Sequence, residues 1–385
     1  MRYRYLDHAA TTALRPEVRA AMEPYLDARF GNASSIHRFG RDARNALEQA
    51  RERVAAALGA HRREIVFTSG GTEADNLAVL GRWRAHRAAG EAGGAVVASA
   101  IEHSAVTGAA EQAAREGAEL ILLGVDQEGR VDPAVVEEAL LARPCVVSVM
   151  WGNNEVGTVQ PIAAVAAACR ARNVAFHSDA VQAFGKVRVR VDEVACDLLA
   201  VSAHKIGGPK GVGALYVREG VQLLPLGHGG GQERALRPGT ENVAGAVGLA
   251  AAAELAVAEQ AAEGERLERL RATLLARCRE RVGDVAVNGS SAHHLPHILH
   301  LSVPGVDPEA LLVGLDLEGV AASGGSACHS GTVQHSPVLG AMGRAWPGHA
   351  SVRFSLGHDT TLADVEFAAD VLGVVVTRAR SVAAG

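Results

Sequence analysis

The chain has 385 residues, of which 48% are apolar and 21% are charged, and its formal net charge is −5, values typical of a globular protein. This charge gives no reason to expect nucleic acid or a membrane surface as a partner, and no apolar run approaches the roughly 20 residues of a membrane-spanning helix. The five scattered cysteines form neither a zinc-binding spacing nor a disulfide framework, and residues 1–7 lack the core of a signal peptide, so we expect a cytoplasmic protein.

Helices and strands alternate between about residue 44 and residue 217. Each predicted strand is a short apolar run, and helical stretches separate the runs. Continuous apolar strands separated by helices predict a mostly parallel sheet that is covered on both faces and binds ligands at the carboxyl ends of its strands. The predicted strands lie at 64–69, 95–99, 119–123, 145–150, 174–179 and 198–201, and the predicted helices at 46–58, 105–116, 133–142 and 161–172.

A second, smaller unit is predicted in the C-terminal part of the chain. A long helical region at 243–282 carries Leu267, Leu270, Leu274 and Cys278 at helical spacing, so we expect a helix that connects two domains and has one buried face. The chain is also longer than one hydrophobic core usually supports. We therefore predict an α/β fold with a large, mostly parallel-sheet domain and a smaller α+β domain. Its later strands are predicted at 298–303 and 351–355, and its later helices near 308–317 and 361–378.

Lys205 is the first residue that suggests chemistry. The chain has three lysines against 35 arginines, so a lysine is kept where arginine cannot serve. Arginine cannot lose its proton and form an imine, whereas a lysine at the end of a buried strand can, because desolvation lowers its pKa. Asp179 ends another apolar strand. Together the two are what pyridoxal phosphate (PLP) requires, an imine partner and a carboxylate for its pyridine nitrogen. A surface lysine and a helix-capping aspartate are the plainer alternatives.

The turn at 69–76 (Ser-Gly-Gly-Thr-Glu-Ala-Asp-Asn) joins the first predicted strand to a helix. Its two glycines let backbone N–H groups approach an anion, the helix N-terminus favours phosphate, and Thr72 adds a hydroxyl donor. Many ordinary strand-to-helix turns carry Gly-Gly-Thr, so the pattern is weak by itself. Ser202 and His204, close to the lysine, offer two more polar groups to the same phosphate.

Two further strand ends carry polar groups. His103 suits stacking on a flat cofactor and proton transfer, and a histidine at a helix N-terminus capped by Ser104 is the equal alternative. Asn154 follows another strand, where its amide suits a cofactor hydroxyl or a plain turn. The polar stretch at 228–242 is long enough to reach a neighbouring site, or it is a connecting loop.

Cys328 is the second residue that suggests chemistry. It lies in a run of Gly, Ser and Ala at 322–331 that gives a thiol no packing role, whereas Cys169 and Cys278 are typical of small hydrophobes on helix faces. The neighbouring His329 favours a thiolate, so a reactive nucleophile is favoured over a structural thiol.

Arg353 ends a later apolar strand and is a candidate clamp for a substrate carboxylate, because a guanidinium group binds a carboxylate through two parallel hydrogen bonds. One arginine among 35 would draw no notice by itself.

The histidines at 293, 294, 297 and 300 invite a metal hypothesis. They lie across a loop and a strand, and the sequence indicates no carboxylate or cysteine partner for them, so we expect no metal site.

With these residues in view, the sequence resembles the cysteine desulfurases of the NifS/IscS type, which are PLP enzymes of the class-V aminotransferase family. The resemblance implies fold type I, the aspartate-aminotransferase fold, with a large PLP-binding domain at 14–250 and a small domain at 1–13 and 251–385 that carries Cys328. The motifs that carry it run in order through nearly the whole chain, at 5–12, 30–35, 68–76, 153–155, 204–205, 237–240, Cys328 and 351–357.

The family implies roles for individual residues. Lys205, His103 and Cys328 are the implied catalytic residues, and Arg353, helped by Asn32, is implied to hold the substrate carboxylate. The implied cofactor-binding residues are Gly71, Thr72, Ser202 and His204 at the phosphate, His103, Asn154 and Gln182 at the ring and its substituents, Asp179 at the pyridine nitrogen, Lys205 as the imine lysine, and Thr240, which reaches the phosphate of the other subunit in a homodimer.

The implied reaction converts L-cysteine to L-alanine. Lys205 removes the α-proton, the Cys328 thiolate attacks the substrate sulfur, and the resulting persulfide passes to an acceptor such as an iron–sulfur scaffold or a tRNA-thiolation protein. His329 stands where Ser or Thr is more usual, and Gly325 is a second departure. Both concern the choice of partner and the behaviour of the loop, and not the reaction.

Three other functions stay open from the sequence. Another PLP reaction on the same fold, such as transamination or β-elimination, needs no persulfide step. Selenocysteine suits the same geometry as cysteine. A non-catalytic scaffold of a sulfur-transfer assembly is expected to lose Lys205 or Cys328, and both are present.

Overall fold

The computed structural model describes residues 3–91, 94–324 and 336–383, so Cys328 and the rest of 325–335 lie outside the described residues. The strands, in chain order, are β1 (Arg4–Tyr5), β2 (Ile65–Thr68), β3 (Ala95–Ser99), β4 (Glu119–Leu123), β5 (Val146–Ser148), β6 (Ala175–Asp179), β7 (Leu198–Ser202), β8 (Gly213–Val217), β9 (Ala286–Asn288), β10 (Ile298–Pro304), β11 (Val320–Ala321) and β12 (His349–Ser355). The helices are α1 (Pro16–Met22), α2 (Arg38–Leu58), α3 (Gly71–Ala88), α4 (Ser104–Arg115), α5 (Pro133–Ala139), α6 (Ile162–Ala171), α7 (Val243–Val282), α8 (Pro308–Leu317), α9 (Pro337–Ala341) and α10 (Leu362–Ala383).

A seven-stranded sheet forms the centre of the larger part of the chain. Its order is β2-β8-β7-β6-β5-β3-β4, and every pair is parallel except those made by β8, which runs antiparallel to both of its neighbours. The predicted mostly parallel sheet is therefore confirmed. Strand β8 was not among the predicted strands; it returns from the end of β7 after the glycine-rich turn at 206–211.

Both faces of the inner strands of this sheet are buried, which explains why those strands have no polar alternation. On β7, Leu199 and Val201 belong to the apolar cluster that contains α2 and α6, while Leu198 and Ala200 belong to the cluster on the α3 side. Successive side chains of a strand point to opposite faces, so the whole run must be apolar. On β7 the polar residue is thereby confined to the strand end, whereas β6 also buries His177 and Ser178.

The second sheet confirms the smaller α+β unit. Strands β12, β10 and β9 pair antiparallel in that order, and α8, α10 and the second half of α7 pack with them. The predicted buried face of the long helix is confirmed, because Leu267, Leu270, Leu274 and Cys278 all lie in this core. The division of the chain at 14 and 250 stays a prediction.

Helix α7 spans 40 residues and is the one helix of the described chain that is long and apolar enough to cross a membrane by length and composition. No such stretch was expected from the sequence. In its most apolar window 61% of the residues are buried within the protein, where Ala246, Leu249 and Ala250 pack in the core of the larger part. Burial of this kind is what a core helix shows.

Replacing Leu199 by alanine is expected to lower the free energy of unfolding by about 2–5 kcal/mol, because this fully buried side chain leaves a cavity between the sheet and its helices. Leu317 is 77% exposed, so Leu317→Ala provides the same substitution without a cavity and is expected to change stability by less than about 0.5 kcal/mol. Urea denaturation of the two variants and the wild type tests this. Equal effects would contradict the burial of Leu199.

Candidate active site

The predicted polar groups converge at the carboxyl end of the central sheet. Asp179 is the last residue of β6 and Ser202 the last of the adjacent β7, and Lys205 follows in a short 3-10 turn, Ala203–Lys205. The turn that starts α3 and the histidine that starts α4 come from neighbouring crossovers. The topology thus brings residues from distant parts of the chain to one edge, as expected for a parallel sheet.

Lys205 is half-buried and points toward the N-terminal segment. Its Nζ donates hydrogen bonds to the carbonyl oxygens of Ala9 at 2.6 Å and Ala10 at 2.7 Å. The amide Nε2 of Gln182 also donates to Ala9 O, at 2.8 Å. The N-terminal segment therefore forms one wall of the site, a role that only the resemblance, and no local pattern, indicated.

Asp179 is buried, and its Oδ1 accepts the N–H of Val181 at 2.8 Å. Burial raises the pKa of this carboxyl, while the positive charges of His103 and Lys205 lower it. One ligand atom each of Asp179, His103 and Asp75 lie within 4.8 Å of one another. A carboxylate beside an imidazole and a lysine fits the pyridine end of PLP.

The opposite end of the site fits a phosphate. A Cβ atom at Gly71 would stand 2.7 Å from Val181 Cγ2 and 3.8 Å from Ser202 Cβ, so this close approach requires glycine at the start of α3. The turn combines a helix N-terminus with the hydroxyls of the exposed Thr72 and the buried Ser202.

His204 completes the group beside Lys205. Its Nδ1 lies 3.0 Å from Thr11 Oγ1, and burial, with the charges of Lys205 and Lys210, lowers its pKa to about 4. The imidazole is therefore neutral at physiological pH and can donate one N–H to an anion.

The His103 side chain also caps a helix. Its Nδ1 accepts the N–H of Ala105 at 3.1 Å, so the histidine itself, and not Ser104, is the N-cap of α4. Capping holds the imidazole at the start of α4, at the edge of the site. The two alternatives for this residue are therefore compatible.

Two buried groups behind Asp179 were missed by the sequence analysis. His177 lies two residues earlier on β6, on the same face of the strand; its Nδ1 is 2.8 Å from Ser148 Oγ and its Nε2 is 3.5 Å from Asp75 Oδ1. Burial lowers the pKa of His177 to about 3 and raises that of Asp75 well above its usual range. The alternation of side chains along β6 is the signal that could have indicated His177, because residues two apart on a strand share a face and Asp179 was already a candidate.

Glu102 is a third missed residue, buried next to His103. Its Oε1 accepts hydrogen bonds from Ser99 Oγ at 2.6 Å and from the N–H of Met150 at 2.7 Å, whereas Oε2 has no partner among the described residues. Burial raises the pKa of Glu102 to about 7.

Glu102→Gln is expected to raise stability at about pH 8 by on the order of 2 kcal/mol and to change it little near pH 4.5. Between the usual pKa of 4.5 and the folded value of about 7, the folded state holds a proton that the unfolded state has released, so wild-type stability falls as pH rises through this window. Glutamine keeps the accepting oxygen and cannot ionise. Urea denaturation of both proteins at the two pH values measures the difference; a pH-independent difference would contradict the raised pKa.

Arg353 lies within the same site and is almost fully buried. Its Nη2 donates to Asp7 Oδ1 at 2.7 Å and its Nη1 to the backbone oxygen of Asn154 at 2.9 Å, while Nε has no partner among the described residues. The guanidinium group therefore retains N–H donors for another carboxylate. Asn154 contacts it through its backbone oxygen and not through its side-chain amide.

Two predicted site residues are exposed in the single chain. Asn32 is exposed, and its Oδ1 accepts the N–H of Ser34 at 2.8 Å; Thr240 is exposed in the loop before α7. Their assigned roles stay predictions. Cys328 and His329 lie outside the described residues, so their contacts are not part of this geometry.

The histidines at 293–300 have separate partners. His294 Nε2 lies 2.9 Å from a carboxylate oxygen of Glu268, a partner that the sequence did not indicate, and His300 Nδ1 lies 2.9 Å from Asn288 Nδ2. Within 3–91, 94–324 and 336–383, the group of acids and histidines close enough to share an ion is the one that contains Asp179, in the candidate active site itself.

Comparisons with known proteins agree with this geometry. The chain matches the class-V aminotransferase family model over residues 4–367. It is 45% identical over 379 residues, 98% of this chain and 95% of the relative, to a cysteine desulfurase IscS of Dictyoglomus turgidum. Two solved structures, each 32% identical, resemble it: a NifS-like protein (TM-score 0.90, 98% of this chain and 100% of that one) and SspA in complex with cysteine (TM-score 0.79, 92% and 98%). The chain therefore belongs to the class-V aminotransferase family, as a cysteine desulfurase of the NifS/IscS type.

Proposed function

We propose that this protein converts L-cysteine to L-alanine with PLP as cofactor and passes the sulfur, as a persulfide on Cys328, to an acceptor protein. The observation that carries the proposal is the placement of Lys205 and Asp179 at the ends of adjacent strands, beside a glycine-based helix N-terminus. The class-V aminotransferases are PLP-dependent, and SspA, a structural relative, was solved with cysteine bound.

The residues present fit PLP along its whole length. Asp179 would pair with the pyridine nitrogen and His103 would cover the ring, with Gln182 and Asn154 near its substituents. Bound PLP supplies an electron sink for the α-carbon of an amino acid. The phosphate would be held by Gly71, Thr72, Ser202 and His204.

Lys205 holds and moves the proton of the substrate α-carbon. As a neutral amine, its Nζ accepts that proton, and the carbonyl oxygens of Ala9 and Ala10 then accept hydrogen bonds from the ammonium group. These two oxygens give the side chain a fixed position whenever it is not bonded to the cofactor.

Arg353 binds the substrate carboxylate. Its guanidinium is held by Asp7 and by the backbone of Asn154, so its orientation is fixed before the substrate arrives and little entropy is lost on binding. The burial of the group strengthens its attraction for a carboxylate.

Cys328 receives the sulfur. Its thiolate attacks the substrate Sγ, the substrate C–S bond breaks with its electron pair remaining on carbon, and protonation at that carbon completes L-alanine. The new S–S bond leaves a persulfide on Cys328. An acceptor thiol or an added reductant then removes the outer sulfur.

A second copy of the chain completes the site in this proposal. Asn32 lies in a segment that also carries Leu26, Phe30, Ile36 and Phe39; each of these four residues is 52–88% exposed, and the rings of Phe30 and Phe39 stack with their centres 5.6 Å apart. Exposed apolar side chains close together favour a protein interface. A homodimer would give both Asn32 and Thr240 a partner, and we propose a cytoplasmic location for it.

The proposed function is tested by the absorption spectrum of the purified protein and by its products. Bound PLP gives a band near about 420 nm. Addition of L-cysteine with a reductant is expected to yield sulfide and alanine in equal amounts. PLP without sulfide would assign the protein to another PLP reaction, and the absence of PLP would refute the proposal.

A further inference from the structure

The loop before α7 contains three consecutive non-glycine residues in the left-handed region. The φ angles of Glu233, Arg234 and Ala235 are 46°, 58° and 63°. Sterics disfavour this conformation for residues that carry a Cβ, so three in succession persist only where the surroundings hold them. Backbone strain of this kind is concentrated at functional sites.

A buried ion pair holds this turn. The Glu233 carboxylate accepts hydrogen bonds from both terminal nitrogens of Arg51 on α2, at 2.6 and 2.7 Å, and from the N–H of Phe67 on β2 at 2.9 Å. Both charged side chains are at most 7% exposed, and the Arg51 guanidinium also lies 4.8 Å from the centre of the Phe67 ring. The left-handed turn is what directs the Glu233 side chain inward to these partners.

The same loop is tied to the candidate phosphate turn. Four residues beyond Glu233, Arg237 Nε donates to Glu73 Oε1 at 3.0 Å, and Glu73 Oε2 accepts the N–H of Ser69 at 2.5 Å. Ser69 directly follows β2, the strand that receives the Glu233 carboxylate. The loop is therefore held at two points: Glu233 binds β2 through Phe67, and Arg237 binds the first turn of α3 through Glu73.

We propose that Glu233 is a positioning residue for the phosphate end of the cofactor site. Its pair with Arg51 holds the left-handed turn, and this turn sets the path of residues 236–242 along β2 and the Gly70–Thr72 turn. The inference rests on the proposed function, because it concerns the PLP phosphate.

A purely structural ion pair is the competing explanation. Buried ion pairs often add little net stability, yet removing one partner leaves an unpaired charge and destabilises the fold. A loss of thermal stability therefore does not separate the two explanations, whereas a change in PLP retention relative to stability does.

The test measures PLP loss from the purified holoenzyme during dialysis, followed by its absorbance, together with the thermal midpoint. The Glu233→Gln variant is expected to lose PLP at least about 10-fold faster than the wild type. The reason is that the weakened pair with Arg51 no longer holds the strained turn in place. Glu254→Gln is the matched control: Glu254 pairs with Arg53, also on α2, but both side chains are 37–48% exposed and neither bonds to the turn. The control is expected to retain PLP like the wild type.

Ala235 provides a second test that leaves the ion pair intact. It is exposed, so Ala235→Val introduces no clash but disfavours the left-handed conformation, whereas Ala235→Gly favours it. We expect faster PLP loss for valine and unchanged or slower loss for glycine. Wild-type PLP retention in both Glu233→Gln and Ala235→Val would overturn the inference. A wild-type protein that binds no PLP would instead refute the proposed function.

Discussion

Replacement of Lys205 by alanine is expected to abolish the absorption band near about 420 nm and to lower the rate of sulfide formation by about 1,000-fold or more. In the proposed function Lys205, just after β7, is both the imine lysine and the base for the substrate α-proton, so one substitution would remove both the covalent attachment of PLP and the proton transfer. The spectrum and the rate are therefore expected to change together.

Two further variants separate the chemistry of Lys205 from its charge. Lys205→Arg keeps a cation near the carbonyl oxygens of Ala9 and Ala10 but cannot lose its proton, so we expect it to be as inactive as Lys205→Ala. Lys210→Ala changes an exposed lysine of the same turn and is expected to keep the band. Turnover by Lys205→Arg would show that imine formation at this position is not required.

The fold was largely predictable because burial on both faces leaves a simple pattern. Strands such as β3 and β7 are continuous apolar runs that end at a polar residue, and the periodicity of Leu267, Leu270 and Leu274 predicted the buried face of α7. Strand β8 was not predicted, since pairing direction depends on the path of the chain and not on local composition.

The candidate site was predictable only where a polar residue ended a strand. Asp179 and Lys205 met that condition. The contact between Lys205 and Ala9 joins residues 196 positions apart, and no local pattern encodes it. Asp75 lies inside a helix, where an acid is normally solvated, so its burial beside Asp179 required the tertiary structure.

The structure bears on the binding and deprotonation of the amino acid, whereas the sulfur-transfer step is inferred from the sequence, because Cys328 lies outside the described residues. The proposed roles of Arg353, Asp179 and Lys205 are to bind and deprotonate an amino acid, which a transaminase or a β-lyase would also need. The persulfide step is the part that distinguishes a desulfurase, and the proposal assigns it to Cys328. The buried positions of Cys145, Cys169, Cys196 and Cys278 make those thiols unsuited to sulfur transfer, and burial raises the pKa of Cys278 to about 12.

Cys328→Ser is accordingly expected to retain the PLP band and to lose sulfide formation by about 100-fold or more, because a serine hydroxyl does not take sulfur from a C–S bond under these conditions. Cysteine binding should persist, since Arg353 and Lys205 are unchanged, and a spectral change on addition of L-cysteine measures it. Cys278→Ala is the matched control; it removes a buried thiol from the smaller core and is expected to cost stability but to leave the rate per folded molecule unchanged.

The outcome also distinguishes the reactions that this site could support. A transaminase would be nearly indifferent to Cys328→Ser, and a β-lyase would continue to release sulfide while forming pyruvate in place of alanine. Alanine and sulfide lost together, with PLP still bound, would identify Cys328 as the sulfur acceptor. Sulfide formation that survives the substitution would assign the C–S bond cleavage to the residues around Lys205 alone.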